Sequence, residues 1–444
     1  MSGGTLIVGA SQAGLQLAAS LRQLGDASPI MLVGEEVRPP YQRPPLSKGF
    51  LSGQAALDSL ELRVPAFYAD AGIDLVCGDA VSELNLTATP PGSGVAVTAN
   101  GREFAFDRLA LTVGASARRL PVPGADLDGI CFLRDCDDAV YLQARLRTAE
   151  RVVVVGGGFI GLEVASGARA LGRSVTLIEA ADRLMARSVG SVVSGFYLEA
   201  HQRRGLDIRL SSGVSRFEGG GGRVSEVVLS DGTHLPADLV LIAVGIQPRT
   251  ELAEQLGLAC DGGIVVDARA RTSNPFIVAA GDCTVQPHPM TGQGRVRLES
   301  VQNATGQAHV AAASLLGRSD GATADPWPGA APQASPARVP WFWSDQGDLR
   351  LQIAGLSAGH HAQVVHGRPE QERFSVLYYR DGRLVAADAI NQPADYIAVR
   401  RALAQGATID PDRAGDPAVP LKSLIQNPAG HRPGPAGAGL ATQA

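Results

Sequence analysis

Val152-Val153-Val154-Val155-Gly156-Gly157-Gly158-Phe159-Ile160-Gly161 decides how this chain folds, because an apolar run, a glycine-rich turn and a helical pattern follow one another without a break. The helical stretch ends near Gly172, and the next apolar run ends in an acid, Glu179. A looser copy lies upstream: Leu6 to Val8, then Gly9-Ala10-Ser11-Gln12-Ala13-Gly14, a helical stretch closing near Gly25, and an apolar run that leads to Glu35. In a strand-turn-helix-strand unit of this kind, the glycines let backbone N–H groups at a helix N-terminus approach a pyrophosphate. The terminal carboxylate accepts hydrogen bonds from a ribose diol. Two complete units predict two bound dinucleotides.

Composition is consistent with this and excludes several other classes. A chain of 444 residues, 45% hydrophobic and 19% charged, has room for two or three domains with ordinary cores. A net charge of −5 gives no reason to expect nucleic acid, and no apolar run is long enough for a membrane span. Met1-Ser2-Gly3-Gly4 leads into the first strand with no basic leader, which predicts a cytoplasmic protein. The five cysteines, Cys77, Cys131, Cys136, Cys260 and Cys283, are odd in number and scattered, so structural disulfides are not expected. The spacing of Cys131 and Cys136 suggests a redox pair or half of an iron–sulfur run, yet no Cys-x-x-Cys follows to complete a cluster, and ordinary thiols are the plainer reading.

The two units look like copies of one plan. After Glu35 come a hairpin signal at Asn100-Gly101 and an apolar run, Leu109 to Val113, closed by Gly114; after Glu179 come Asp231-Gly232 and Leu239 to Val244, closed by Gly245. Asp107 and Asp238 recur ahead of those runs. The expected fold is α/β, with a second domain inserted into a first that resumes at Ile277-Val278-Ala279-Ala280-Gly281-Asp282 and at a helix capped by Ser300. Residues 318–338 read as a linker, Pro340-Trp341-Phe342-Trp343 opens a smaller domain with strand-like alternation, and the tail from 427 to 444 reads as disordered.

Tyr41-Gln42-Arg43-Pro44-Pro45-Leu46-Ser47-Lys48, the fingerprint from Gly156 to Glu163, Gly281-Asp282-Cys283, Glu299-Ser300-Val301-Gln302-Asn303 and Pro340-Trp341-Phe342-Trp343-Ser344-Asp345-Gln346 together resemble the FAD-dependent, NADH-oxidising ferredoxin reductases of bacterial cytochrome P450 and aromatic-ring dioxygenase systems. The likeness covers nearly the whole chain. It implies two Rossmann-like FAD/NAD(P)-binding domains of glutathione-reductase type plus a C-terminal α+β domain. The FAD-binding domain takes residues 1–114 and 246–325, the NAD-binding domain 115–245, and the C-terminal interface domain 339–426. Ser11 departs from the glycine usual at the second fingerprint position, and the stretch from Tyr41 to Lys48 lacks the cysteine pair of disulfide-reducing cousins.

The resemblance also assigns residues. Lys48 and Glu163 are expected to meet near the reactive edge of the flavin, where a cation favours electron density arriving on the ring; a solvated lysine and a helix-face glutamate are the plainer alternative. Trp343, with Trp341 as the alternative, would stand near the flavin on the side of the iron–sulfur partner. The FAD set is completed by Gly9, Ser11, Ala13, Gly14, Glu35, Arg43, Val81, Thr112, Gly114, Arg134, Asp282 and Val301. Asp282 is expected on the ribityl chain, and the helix opening at Val301 would aim its positive end at the flavin's pyrimidine side. For NAD the set is Gly156, Gly158, Ile160, Gly161, Glu179, Gly245 and Glu299. Glu179 would bind a free 2′-hydroxyl and repel a 2′-phosphate, with Arg183 the nearby residue that could oppose this, so NADH is the expected donor.

The function implied is hydride transfer from NADH to FAD and single-electron delivery to a [2Fe–2S] ferredoxin that serves a cytochrome P450 or a Rieske oxygenase, with no metal on the chain itself. Arg295, Arg297 or Arg350 could contribute to a basic docking patch. The rivals are a reductase of the same fold with another acceptor, of monodehydroascorbate or nitrite reductase type, and an apoptosis-inducing-factor-like flavoprotein.

Overall fold

The computed structural model describes residues 3–318 and 339–427, so most of the expected linker and tail lies outside the described residues. The chain forms two compact units, Met1–Gln352 and Ile353–Ala444.

The first unit contains the same α/β module twice. Strand Thr5–Val8 is flanked in parallel by Ile30–Val33 on one side and Arg108–Leu111 on the other, with Ile73–Val76 and Ile277–Ala279 completing five strands. In the second module, strand Arg151–Val155 lies between Ser174–Ile178 and Leu239–Ile242, with Asp207–Arg209 and Ile130–Cys131 outermost. Four strands are therefore ordered alike in both, while the fifth, beside Arg108–Leu111 or Leu239–Ile242, follows the other four in the first module and precedes them in the second. Each sheet carries a three-stranded antiparallel meander, Val81–Leu86, Gly94–Thr98 and Glu103–Phe106 in the first, and Val214–Gly220, Arg223–Leu229 and His234–Pro236 in the second. The chain leaves the first module through Ala115–Ala117 and returns through Ile246–Pro248, and these two short strands pair with each other.

The helices form where the glycines release the strands and apolar stripes face the sheets. Helix Gln12–Gln23 buries Ala13, Leu15, Leu17, Ala18 and Leu21, and ends just before Gly25, whose positive φ closes it. Helix Phe159–Ala170 buries Leu162, Val164, Ala165 and Ala168, and is closed by Gly172 in the same way. Helix Val301–Leu315 returns to the first module and packs Ala304, Ala308, Ala311 and Ala312 against the core that holds Leu15, Leu17 and Leu21. Ser300 caps it as expected, its hydroxyl accepting from Asn303 N at 3.1 Å.

Strand Trp341–Gln346, expected at the head of the C-terminal domain, falls in the first unit. Its side chains alternate: Trp341 and Trp343 share one face, with ring centroids 5.6 Å apart, while Phe342 stacks on Phe159 of helix Phe159–Ala170 at 4.7 Å from the other.

In the second unit, strands Ala362–Arg368, Arg373–Arg380 and Arg383–Ile390 form an antiparallel sheet, and helix Pro393–Ala404 follows. The alternation of Phe374, Val376 and Tyr378 predicts one buried face, but Ser375, Leu377 and Tyr379 are buried as well. The strand is paired on both edges, and its second face is covered at Ser375 by the helix residue Asp395, which accepts the hydroxyl at 2.9 Å.

Candidate active site

Both glycine fingerprints sit at the carboxyl end of a central parallel strand, immediately before a helix N-terminus. Gly9 and Gly156 have positive φ, and a side chain on either would overlap backbone, at Thr112 and Ala243 respectively. Gly14 and Gly161 press against the carbonyls of Gly9 and Gly156, so neither has room for a methyl group. Gly158, by contrast, faces open space with ordinary extended dihedrals. A cradle closed at the first and third glycines and open at the second fits a pyrophosphate laid over a helix N-terminus. Ser11 occupies that position in the first module, as the N-cap of helix Gln12–Gln23 with an extended backbone and no side-chain capping bond.

Several members of the expected flavin set lie around the strand ends of the first module. Thr112 Oγ1 donates to Val8 O and Gly9 O at 3.0 and 2.9 Å, fixing the turn from below. Asp282 pairs with Arg134 at 2.9 Å, and Gly114 lies against the same guanidinium. Val81 is partly buried and packs against the core cluster that contains Val8, Val33 and Leu111. Gln12 Nε2 reaches Thr305 Oγ1 at 3.3 Å and joins the N-terminal turns of the two helices that open at Gln12 and Val301.

Glu35 is ion-paired with Arg249 at 2.6 Å. The neighbouring Glu36 takes the Tyr41 hydroxyl and the Arg43 guanidinium, while Arg43 also donates to Tyr41 Oη and Arg134 O at 2.9 and 2.8 Å. Burial pushes the Tyr41 phenol far above its ordinary range, so it serves as a fixed hydrogen-bond donor.

The sequence Pro44–Ser47 forms a short 3₁₀ helix, with prolines in its first turn, that delivers Lys48 to Glu163. Lys48 Nζ lies 2.7 Å from Glu163 Oε2, and Ser47 Oγ donates to that same oxygen at 2.5 Å. The other oxygen, Oε1, accepts from Ser344 Oγ at 2.6 Å. Glu163 is 3% exposed, so this carboxylate is held by two hydroxyls and a cation with almost no water. The pair expected from the motif resemblance is therefore formed across three separate elements. Ser47 and Ser344 are partners that sequence reasoning left unassigned, although both lie inside the quoted motifs.

In the second module Glu179 folds back on its own fingerprint, accepting from Gly157 N at 2.7 Å and Ala181 N at 2.8 Å. Arg183 is turned away onto the carbonyls of Val189 and Ala186, at 2.8 and 2.5 Å. Gly245 faces the Arg187 guanidinium, and Ile160 is exposed on the first turn of helix Phe159–Ala170.

Other expected residues are engaged elsewhere. Glu299 is taken by Arg297 at 2.7 Å, and Arg295 lies 3.6 Å from Asp261, so two of the three arginines expected in a basic patch have their charge offset. Trp343 stacks on Trp341, on the strand face opposite Ser344 and Glu163. All five cysteines are free thiols. Cys131 and Cys283 are sealed in the core, burial pushes the Cys283 thiol up to about 12, and Cys131 Sγ lies 3.2 Å from Val240 O.

Residues 4–308 match the family model "Pyridine nucleotide-disulphide oxidoreductase", and residues 341–425 match "Reductase C-terminal". The chain is 41% identical over 423 residues to a terpredoxin reductase of a Pseudomonas species, covering 95% of this chain and 98% of that protein. Among solved structures, a ferredoxin reductase from Rhodopseudomonas palustris superposes with a TM-score of 0.86 at 37% identity, covering 95% of this chain and all of the other. A covalent putidaredoxin reductase–putidaredoxin complex gives the same TM-score and identity, with 95% and 97% coverage. These matches span the doubled module, both cradles and the strand that carries Ser344, and the chain belongs to the pyridine nucleotide-disulphide oxidoreductase family, as an oxidoreductase.

Proposed function

We propose that the protein takes reducing equivalents from NADH onto FAD and passes them singly to a small [2Fe–2S] ferredoxin, which in turn serves a cytochrome P450 or a Rieske oxygenase. The observation that carries this reading is the Lys48–Glu163 pair, which joins the first module to the second within a unit that has a dinucleotide cradle at each fingerprint. FAD, when bound, supplies the conversion between a two-electron donor and a one-electron acceptor. The first cradle, with Gly9, Ser11, Gly14, Thr112, Arg134 and Asp282, would hold it; the second, with Gly156, Gly158, Gly161 and Glu179, would hold NADH.

The side chains of the protein perform the remaining tasks. Glu163 fixes the Lys48 ammonium at one place, where its charge favours electron density arriving nearby. Arg134 and Asp282 present opposite charges side by side at the strand ends. The stretch from Tyr41 to Lys48 has no cysteine, and Cys131 and Cys283 are buried with raised thiol pKa values, which argues against a dithiol relay and for an iron–sulfur acceptor. Two reductases that resemble the chain in structure are named for ferredoxin-type partners. We place the protein in the cytoplasm, where NADH is generated and free thiols stay reduced. Among the described residues, no helix is long and apolar enough to cross a membrane.

The deciding experiment is NADH-driven cytochrome c reduction by the FAD-loaded protein, with and without an acidic [2Fe–2S] ferredoxin. Strong stimulation by the ferredoxin is expected. No stimulation, or faster turnover of glutathione disulfide or lipoamide, would overturn the assignment of the acceptor.

A further inference from the structure

The Glu163 carboxylate is the end of a chain of buried hydrogen bonds that begins on another helix. His201, in the last turn of helix Ser191–Arg203, faces Gln346 with Nε2 and Oε1 2.7 Å apart. Gln346 Nε2 lies 3.2 Å from Ser344 Oγ, and Ser344 Oγ lies 2.6 Å from Glu163 Oε1. His201, Gln346 and Ser344 are all fully buried. The turn that follows is fastened to the same helix end, since Arg204 holds both oxygens of Asp348 at 3.0 and 2.9 Å.

The polarity of this chain follows from the atoms. An amide oxygen only accepts, so the His201 Nε2 facing it carries a hydrogen and donates. An amide nitrogen only donates, so Ser344 Oγ accepts from Gln346 and has its own hydrogen left for Glu163. Every donor points toward the carboxylate, and dipoles aligned in this way strengthen one another in a dry interior.

We propose that Gln346, oriented by His201, is a positioning residue for the Lys48–Glu163 pair. It fixes the direction of the Ser344 hydroxyl, which occupies Glu163 Oε1 and leaves Oε2 to Ser47 and Lys48. A carboxylate held at both oxygens cannot swing about its last torsion, so the ammonium it anchors stays in one place. The alternation of strand Trp341–Gln346 makes this possible: Phe342, Ser344 and Gln346 share the face that meets helix Phe159–Ala170 and His201. The proposal rests on the reading that Lys48 serves the bound flavin.

The test uses the FAD-loaded full chain and four single variants, Gln346→Leu, Ser344→Ala, Ser344→Thr and Lys48→Ala, with the double variant Gln346→Leu/Lys48→Ala. The readouts are the limiting rate of flavin reduction by NADH, the half-saturating NADH concentration and the midpoint potential of the bound flavin. Gln346→Leu and Ser344→Ala should each lower the limiting rate about tenfold, equal to about 1.4 kcal/mol. Half-saturation should stay within about twofold, because the change is in positioning rather than in donor binding. The potential should move in the direction that Lys48→Ala moves it, and Ser344→Thr, which keeps the hydroxyl, should stay near the parent in all three readouts. In the double variant the Gln346 effect should vanish, as two residues acting through one group are not additive.

Full additivity in the double variant, or parental rate and potential in Gln346→Leu, would overturn the proposal while leaving the role of Lys48 intact. An inert Lys48→Ala would overturn both. Should Gln346→Leu fail to fold, the contrast between Ser344→Ala and Ser344→Thr decides, with equal values for the two counting against the proposal.

Discussion

Gly14 lies so close to the carbonyl of Gly9 that a methyl group on its Cα would overlap the oxygen, and Gly161 stands in the same relation to Gly156. These contacts let each fingerprint helix start directly on its strand. The second position is different, because Gly158 has nothing near it and an ordinary backbone conformation. Gly161→Ala should therefore destabilise the protein by about 1–3 kcal/mol through overpacking, whereas Gly158→Ala should leave the melting temperature unchanged and raise the KM for NADH. Thermal melts and steady-state kinetics of the two variants separate the cases. An unchanged KM in Gly158→Ala would mean that no pyrophosphate lies over that turn.

Lys48→Ala should slow flavin reduction by NADH while the flavin stays bound. Glu163 keeps Ser47 and Ser344 as donors when the ammonium is lost, so the fold survives, at a cost of about 1–3 kcal/mol for a buried carboxylate deprived of its cation. Stopped-flow bleaching of the flavin absorbance reads the rate, and the flavin-to-protein absorbance ratio reads retention. A parental reduction rate would return Lys48 to a structural role.

Much of this arrangement was legible in the sequence because it depends on local rules. The doubled strand-turn-helix pattern, the closing glycines Gly25 and Gly172 and the Ser300 cap are each set by a few consecutive residues, and all form as expected. The meeting of Lys48 with Glu163 needed the family resemblance, since the two are 115 positions apart and no periodicity links them. What stayed hidden was set by packing at a distance. His201 looks like any residue on an amphipathic helix until the strand Trp341–Gln346 is laid against it. The ion pairs that occupy Glu35, Glu299, Arg295 and Arg297 likewise depend on which surfaces of the unit come together, and composition cannot show that.

Donor choice should follow Glu179. Its carboxylate is fixed at the cradle by the N–H groups of Gly157 and Ala181, and Arg183, the nearby cation, is committed to two carbonyls. NADH should be preferred over NADPH about tenfold or more in kcat/KM, the discrimination expected from about 1–3 kcal/mol at a charged recognition site. Glu179→Arg should narrow the gap by removing the repulsion and adding a phosphate partner. Equal kcat/KM for the two donors in the parent enzyme would contradict the role given to Glu179.

The thiols should be inert. Desolvation raises the pKa of Cys77, Cys131, Cys136, Cys260 and Cys283, so each stays protonated and poorly nucleophilic at pH 7 to 8. Iodoacetamide should modify none of the buried Cys131, Cys136 and Cys283 in the folded protein, and modify the half-buried Cys77 and Cys260 only slowly, without loss of NADH-driven reduction. Mass spectrometry after timed alkylation gives the site-by-site rates. Rapid inactivation linked to any one cysteine would reopen thiol chemistry for this chain.

Asp238 should give the second module a stability that depends on pH. Its carboxylate accepts from Glu150 N at 3.2 Å and Arg151 N at 2.9 Å and pairs with the Arg151 guanidinium at 2.6 Å, anchoring the start of the central strand. The side-chain bond from Arg151, more than any other contact, holds the Asp238 carboxyl below the usual aspartate range. A folded-state value below the unfolded one means that the unfolded chain takes up the proton first as pH falls. The stabilisation is thus complete at neutral pH, begins to decline near the unfolded value of about 3.9, and is gone once pH has passed below the folded value. Asp238→Asn keeps the shape of the side chain and loses the charge, so it should cost about 1 kcal/mol at pH 7, at the low end for a charged hydrogen bond because Arg151 is half exposed. Urea melts of parent and variant, followed from pH 7 down to about pH 3, should show the two midpoints converging as the carboxylate is protonated. A difference that stays constant across that range would assign the contribution of Asp238 to hydrogen bonds that asparagine can also accept, and would remove the ion pair with Arg151 from the account.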